Sequence, residues 1–215
     1  MKILNLYAGI GGNRKLWERH QITAIENNPE IAKIYQDFFP QDEVIVADAH
    51  QYLLDHYTEF DFIWSSPPCP THSRVRYGLG VCSGKVKPIY PDMKLYEEII
   101  LLDKHFKGKW VIENVAAYYK PLIEHKTVGR HWYWSNFYIG NIEIKSSRIS
   151  QQSKKYSKSP VRIYTIGDFE KLYDYDLSKY KGVDKRLLLR NCVEPEIGKY
   201  ILDCAMGKIK QKLLI

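Results

Sequence analysis

The chain has 215 residues, 45% of them hydrophobic and 27% charged, and carries a formal net charge of +7, which argues against a disordered chain and favours a polyanionic partner. No apolar run reaches membrane-spanning length, and Met1-Lys2 leads straight into a strand-like stretch without signal-peptide design, so a cytoplasmic protein with no membrane partner is expected. Cys69, Cys82, Cys192 and Cys204 form no Cys-x-x-Cys pair, which argues against a metal site or a disulfide framework.

The opening KILNLY predicts a strand, AGIGG a tight turn, and NRKLWERH a helix with Asn13 as its N-cap. Glycines at positions 9, 11 and 12 let the backbone approach a ligand and place it at a positive helix terminus. QITAIE predicts a second strand ending at Glu26, where an acidic side chain can bond a ribose diol. Residues 29–39 predict a helix closed by Pro40, and EVIVAD a third strand ending at Asp48. The helix AHQYLLDHY then leads to the strand DFIW over Asp61–Trp64.

Pro67 and Pro68 forbid further ladder pairing and present Cys69 just beyond a strand end, where ligands and chemistry sit in open α/β sheets. A thiol is the best neutral-pH nucleophile among ordinary side chains once cations or dipoles stabilise its thiolate. Thr71–Pro91, rich in Gly, Ser and basic residues, predicts a mobile loop serving as a lid. Met93–Phe106 has helical spacing at Leu95, Ile99, Leu102 and Phe106, and KWVIENV predicts a strand carrying Glu113, whose carboxyl is suited to proton donation if partly buried.

Arg130–Ile144 predicts a strand pair turning at Gly140-Asn141. A polar loop over residues 146–159, a short strand VRIYTIGDF and a basic stretch Lys179–Arg190 follow. An amphipathic helix over Pro195–Lys212 closes the chain. The β–α alternation through residue 115 predicts an α/β fold, a doubly wound, mostly parallel Rossmann-like sheet with a small mixed subdomain.

At this point the chain resembles the DNA cytosine-5 methyltransferase family. Asn5 through Gly12 resembles the family's first motif, with Asn5 where Asp is usual. Pro67-Pro68-Cys69 is similar to the nucleophile motif, with Pro70 where Gln is common. Glu113-Asn114-Val115 matches the Glu-Asn-Val motif, and Asn191-Cys192-Val193-Glu194-Pro195 looks like the late Asn-Ala-Val-Pro-Pro motif. Arg130 aligns with one arginine of an Arg-x-Arg motif whose partner is missing. The resemblance implies a class I fold with S-adenosyl-L-methionine as cofactor, contacted by Tyr7, Ala8, Gly9, Gly11, Gly12, Glu26, Asn27, Asp48, Ala49, Pro67, Asn191 and Val193. It implies catalytic roles for Cys69, Glu113, Asn114 and Arg130, and DNA with a flipped or unpaired cytosine as partner. RNA is the alternative substrate, and a cognate restriction nuclease a candidate partner.

On this reading residues 1–139 form the catalytic and cofactor-binding domain, completed by residues 190–215. Residues 140–189 form a small target-recognition subdomain. So small a region can build few base-edge contacts. Lys154, Lys155, Lys158, Arg162, Lys179, Lys181, Lys185 and Arg186 suit phosphates, so a short or degenerate target site is expected. The chemistry fits these residues: a thiolate adds at cytosine carbon 6, and a carboxylic acid at ring nitrogen 3 neutralises the developing charge, without a metal. Three other readings stand beside it. Ser65-Ser66-Pro67-Pro68 also resembles an exocyclic-amino methyltransferase motif, although that chemistry uses no thiol. The altered Asn5 and Pro70 and the missing arginine would suit an inactive cofactor- and DNA-binding protein. A nicotinamide oxidoreductase would share the fold but leave Cys69 and Glu113 unexplained.

Overall fold

Short apolar runs become neighbouring strands here because the segments between them are long enough to cross over a sheet face. The computed structural model describes residues 1–142 and 165–209. Its elements are β1 (Lys2–Leu6), β2 (Gln21–Glu26), α1 (Pro29–Phe38), β3 (Glu43–Val46), α2 (Ala49–His56), β4 (Phe62–Ser65) and α3 (Lys94–His105). There follow β5 (Lys109–Val115), β6 (Lys126–Val128), β7 (His131–Ser135), α4 (Ile166–Tyr173), α5 (Lys185–Asn191) and α6 (Pro195–Ala205). The strands form one sheet in the order β3-β2-β1-β4-β5-β7-β6, parallel from β3 to β5, with β7 antiparallel to both β5 and β6. The α/β class and the doubly wound sheet are therefore as expected.

Alternation along each strand sends side chains to opposite faces. Leu4, Leu6, Ile63 and Ile112 pack with Leu53 of α2 and with Leu95, Ile99 and Leu102 of α3. Ile3, Phe62, Trp64 and Val111 pack on the other face with Trp17 and with Ile197, Ile201 and Leu202 of α6. A third cluster sets α4 and α5 against Ile10 and Ile34, with Phe38 of α1 edge-on to Tyr175 at 4.8 Å.

Several expectations are corrected. Residues 13–20 form no helix but a series of turns, with Arg14 N donating to Gly11 O and Trp17 N to Arg14 O. The sheet face that this helix would cover is taken by α6, whose Gly198 lies so close to Asn13 that any Cβ would collide with its backbone. Burying Ile197, Ile201 and Leu202 stabilises by about 1.5–3 kcal/mol each, more than the propensity of a short isolated helix can oppose. Second, the hairpin turns at Gly129-Arg130 instead of Gly140-Asn141, because Gly129 supplies the left-handed residue (φ +61°) that a tight turn demands. Third, residues 166–169 open α4 instead of ending a strand, since Thr165 and Asp168 form a reciprocal capping box. The remainder of that expected strand, residues 161–164, the polar loop over residues 146–159 and the close of the last expected helix, residues 210–212, lie outside the described residues.

Within the stretch expected to be an irregular lid, Ser73 caps helical turns over Arg74–Val81. The last helix ends at Ala205, with Gly207 at φ +71° just beyond.

Candidate functional site

The carboxyl ends of β1, β2, β4 and β5 lie along one edge of the sheet. The chain runs from β1 to one side through β2 and β3, then returns to β4 on the other side, which opens a crevice at that edge. Tyr7 (φ 54°), Gly9 (φ 55°) and Gly11 (φ 81°) bend the chain over it, closed by Gly11 N donating to Ala8 O at 2.9 Å. A side chain at Gly9 would meet nothing within 4 Å, so glycine is required there by backbone angle, and the space above the turn is open. At Gly12 the requirement is space: a Cβ would stand 2.6 Å from Val193 O and 2.8 Å from Cys192 Cβ. The late motif thus returns to the glycine turn, with Val193 buried and Asn191 exposed.

Glu26 is buried and accepts from Gly9 N at 3.0 Å and Asn28 N at 2.9 Å. A carboxylate has about four lone-pair sites, so acceptor capacity remains for a diol. Asp48 is exposed and caps α2, accepting from Gln51 N at 2.9 Å, and that bond is the main cause of its lowered pKa. Asn27 is exposed beside Glu26, while Ala8, Ala49 and Pro67 are buried in the walls. Asn5 is fully buried and pairs with Asn13, whose Nδ2 donates to Asn5 Oδ1 at 2.8 Å.

Beyond β4, Asn114 Nδ2 donates to Pro67 O at 2.9 Å and ties the proline turn to β5. Cys69 O in turn accepts from His72 N and Ser73 N, both at 3.0 Å. Cys69 is half-buried; burial, then the negative charge of Glu113, raises its pKa, while Arg130 and Arg190 oppose that rise. Burial pushes the Glu113 carboxyl from 4.5 up to about 7, against a Ser66 hydrogen bond and Arg130, which lower it. His131 Nε2 lies 3.7 Å from Glu113 Oε1, but burial and Arg130 push the imidazole down to about 3, so this contact is neutral and no ion pair. Arg130 sits exposed in the β6–β7 turn, its carbonyl accepting from Ala116 N at 3.3 Å. A thiol whose pKa is raised and a carboxyl whose pKa is pushed up to about 7 therefore share one end of the crevice, with Arg130 acting on both and Arg190 on the thiol. That pairing can deliver a nucleophile and a proton to opposite parts of one planar substrate.

Sequence reasoning missed Arg190, His50 and Glu98, and named Ser66 only in a motif of the alternative chemistry, not as a partner of Glu113. Glu98 is fully buried, and the signal was its i+3 spacing from Leu95, which puts a carboxylate on the core stripe of α3. Among the described residues no group of three or more His, Cys, Asp and Glu side chains could hold a metal ion. No helix among them is long and apolar enough to cross a membrane.

The model of the C-5 cytosine-specific DNA methylase family matches residues 1–127, more than half of the chain. Among solved structures, Entamoeba histolytica methyltransferase EhMeth is similar with a TM-score of 0.58 at 12% identity, covering 98% of this chain and 99% of its own. The Spodoptera frugiperda DNMT2 E260A/E261A/K263A mutant is similar with a TM-score of 0.57 at 13% identity, covering 95% of this chain and 99% of its own. At these identities the likeness is one of fold. Among curated protein sequences there is no significant match.

Proposed function

Since the chain belongs to the C-5 cytosine-specific DNA methylase family and is thereby an S-adenosylmethionine-dependent methyltransferase, we propose that its substrate is cytosine in DNA, methylated at carbon 5 through a covalent Cys69 adduct. The observation that carries this reading is the half-buried thiol beside a buried carboxyl whose pKa stands at about 7. The crevice suits the cofactor: open space over Gly9, spare acceptor capacity on Glu26, and Asp48 exposed at the next strand end. Tyr7, Ala8, Gly11, Gly12, Asn27, Ala49, Pro67, Asn191 and Val193 complete its walls on this reading. S-adenosylmethionine, when bound, supplies an electrophilic methyl group on a sulfonium.

The remaining work falls to the chain's own residues. Cytosine carbon 5 is a poor nucleophile until the Cys69 thiolate forms a bond to carbon 6, which pushes electron density toward carbon 5 and ring nitrogen 3. Glu113 in its acid form gives its proton to that nitrogen and offsets the developing charge. Arg130 and Arg190 favour the thiolate, and Asn114 holds the Pro67 turn at the level of Glu113. Carbon 5, now electron-rich, takes up the methyl group; loss of the carbon 5 proton to solvent, return of the ring-nitrogen proton to Glu113 and expulsion of the Cys69 thiolate then restore the ring double bond. Exposed Arg74, Lys85 and Lys87 with exposed Tyr77 and Tyr90 lie just beyond Cys69, and no acidic residue occurs from Cys69 to Pro91. That face suits phosphates and stacked bases.

The test is incubation with methyl-labelled S-adenosylmethionine and separate DNA and RNA, followed by identification of the labelled base. 5-Methylcytosine in DNA is expected. Label confined to RNA overturns the DNA assignment, and N4-methylcytosine overturns the Cys69 mechanism.

A further inference from the structure

A carboxylate without solvent must be held by hydrogen bonds, and the groups that hold Glu98 come from the residue just after β1, the first turn of the helix that follows β3, and the last residue of β4. Its Oε1 accepts from the Tyr7 hydroxyl at 2.7 Å and lies 3.0 Å from His50 Nδ1, and its Oε2 accepts from Ser65 Oγ at 2.6 Å. Tyr7 follows β1 and precedes Ala8-Gly9; His50 sits two residues after Asp48 in the first turn of α2; Ser65 is the last residue of β4, two before Pro67. Glu98 itself belongs to α3, on the sheet face below the crevice.

We propose that Glu98 is a positioning residue of the cofactor site, one buried carboxylate that locks the ends of β1, β3 and β4 into a single wall. The inference rests on reading the crevice as the cofactor site. Tyr7 occupies a left-handed conformation at φ 54°, a state that a non-glycine residue keeps only when its surroundings over-determine it. The hydrogen bond to Glu98 tethers its side chain. The Glu98 hydrogen bond is also the main reason that the His50 pKa is raised, so the His50 side of the clamp is charge-assisted. His50 also faces Glu97, whose Oε2 lies 3.3 Å from Nε2, and Lys94, whose charge opposes protonation. The ring is thus anchored between two carboxylates of α3.

The test is calorimetric titration of S-adenosylhomocysteine into wild type, Glu98→Gln, Ser65→Ala and Tyr7→Phe, with steady-state kinetics and thermal unfolding on the same samples. Glu98→Gln is expected to weaken binding about 10- to 100-fold, the cost of disrupting hydrogen bonds to a buried charged group. The cofactor KM should rise by a similar factor, while KM for the nucleic acid stays within about twofold of wild type. If Glu98→Gln does not fold, Ser65→Ala and Tyr7→Phe carry the test. Each is expected to weaken binding about 3- to 10-fold, and the double variant to depart from the product of the two, since both act through one carboxylate. Affinities within twofold of wild type in every folded variant, with only unfolding temperatures lowered, overturn the proposal and leave a purely structural carboxylate. Wild type that fails to bind S-adenosylhomocysteine overturns the cofactor-site reading instead.

Discussion

Replacing Glu113 by Gln separates the function of that carboxyl from its cost to the fold. In the folded chain burial raises its pKa from the ordinary 4.5 to about 7, so the native state holds this proton more tightly than the unfolded chain does. The resulting stabilisation is complete below pH 4.5 and is lost as pH rises through 7. Above that, the native state carries an ionised carboxylate in a site that disfavours it. At about 1.4 kcal/mol per pH unit, the interval between 4.5 and 7 amounts to about 3 kcal/mol. Gln cannot ionise, and any fixed cost of its amide is the same at every pH. The unfolding free energy of Glu113→Gln relative to wild type should therefore improve by up to about 3 kcal/mol between pH 4.5 and pH 8, then level off. Over the same change the methylation rate should fall roughly 10²- to 10⁴-fold, the usual worth of general acid assistance. Urea unfolding of both proteins across that pH range, with single-turnover methylation at each pH, provides the measurement. A stability difference that does not change with pH would refute the raised pKa, and a rate loss under threefold would refute the proton-donor role.

Cys69→Ser should abolish turnover while leaving S-adenosylhomocysteine binding within about twofold in calorimetry, because a serine hydroxyl is far less ionised than a thiol at neutral pH; methylation surviving in the variant would sink the adduct. Arg130→Gln removes a positive charge that lowers the pKa of both Cys69 and Glu113, so both limbs of the pH–rate profile should move upward, and a profile with unmoved limbs would assign Arg130 no electrostatic role. Asp48→Ala should cost about 0.5–2 kcal/mol of stability through the lost cap of α2, whereas Asp48→Asn keeps that stability and should still weaken cofactor binding, which thermal unfolding and calorimetry together resolve. Gly198→Ala should be strongly destabilising because the added Cβ meets the Asn13 backbone, and a variant that unfolds like wild type would contradict the α6 docking.

The strand–turn units, the glycine turn, the proline turn before Cys69 and the strand bearing Glu113 were legible in the sequence, because each is set by local chemistry: apolar runs, positive-φ glycines, and prolines that end a ladder. The hairpin turn, the helix at Ile166 and the missing helix at 13–20 were not. Local propensity for residues 13–20 favours a helix, but the same sheet face is covered more favourably by α6, which begins only at Pro195, far along the chain. Only tertiary packing decides between two elements that compete for one apolar surface. Cys69 and Glu113 could be named from the sequence, yet their shared burial, which raises the pKa of both, exists only once β4 and β5 lie side by side. The Glu98 clamp is the extreme case, with partners 91, 48 and 33 residues away. A sequence pattern shows that a carboxylate sits on an apolar stripe; which hydroxyls and imidazole will meet it depends on three strand ends arriving at one edge of the sheet.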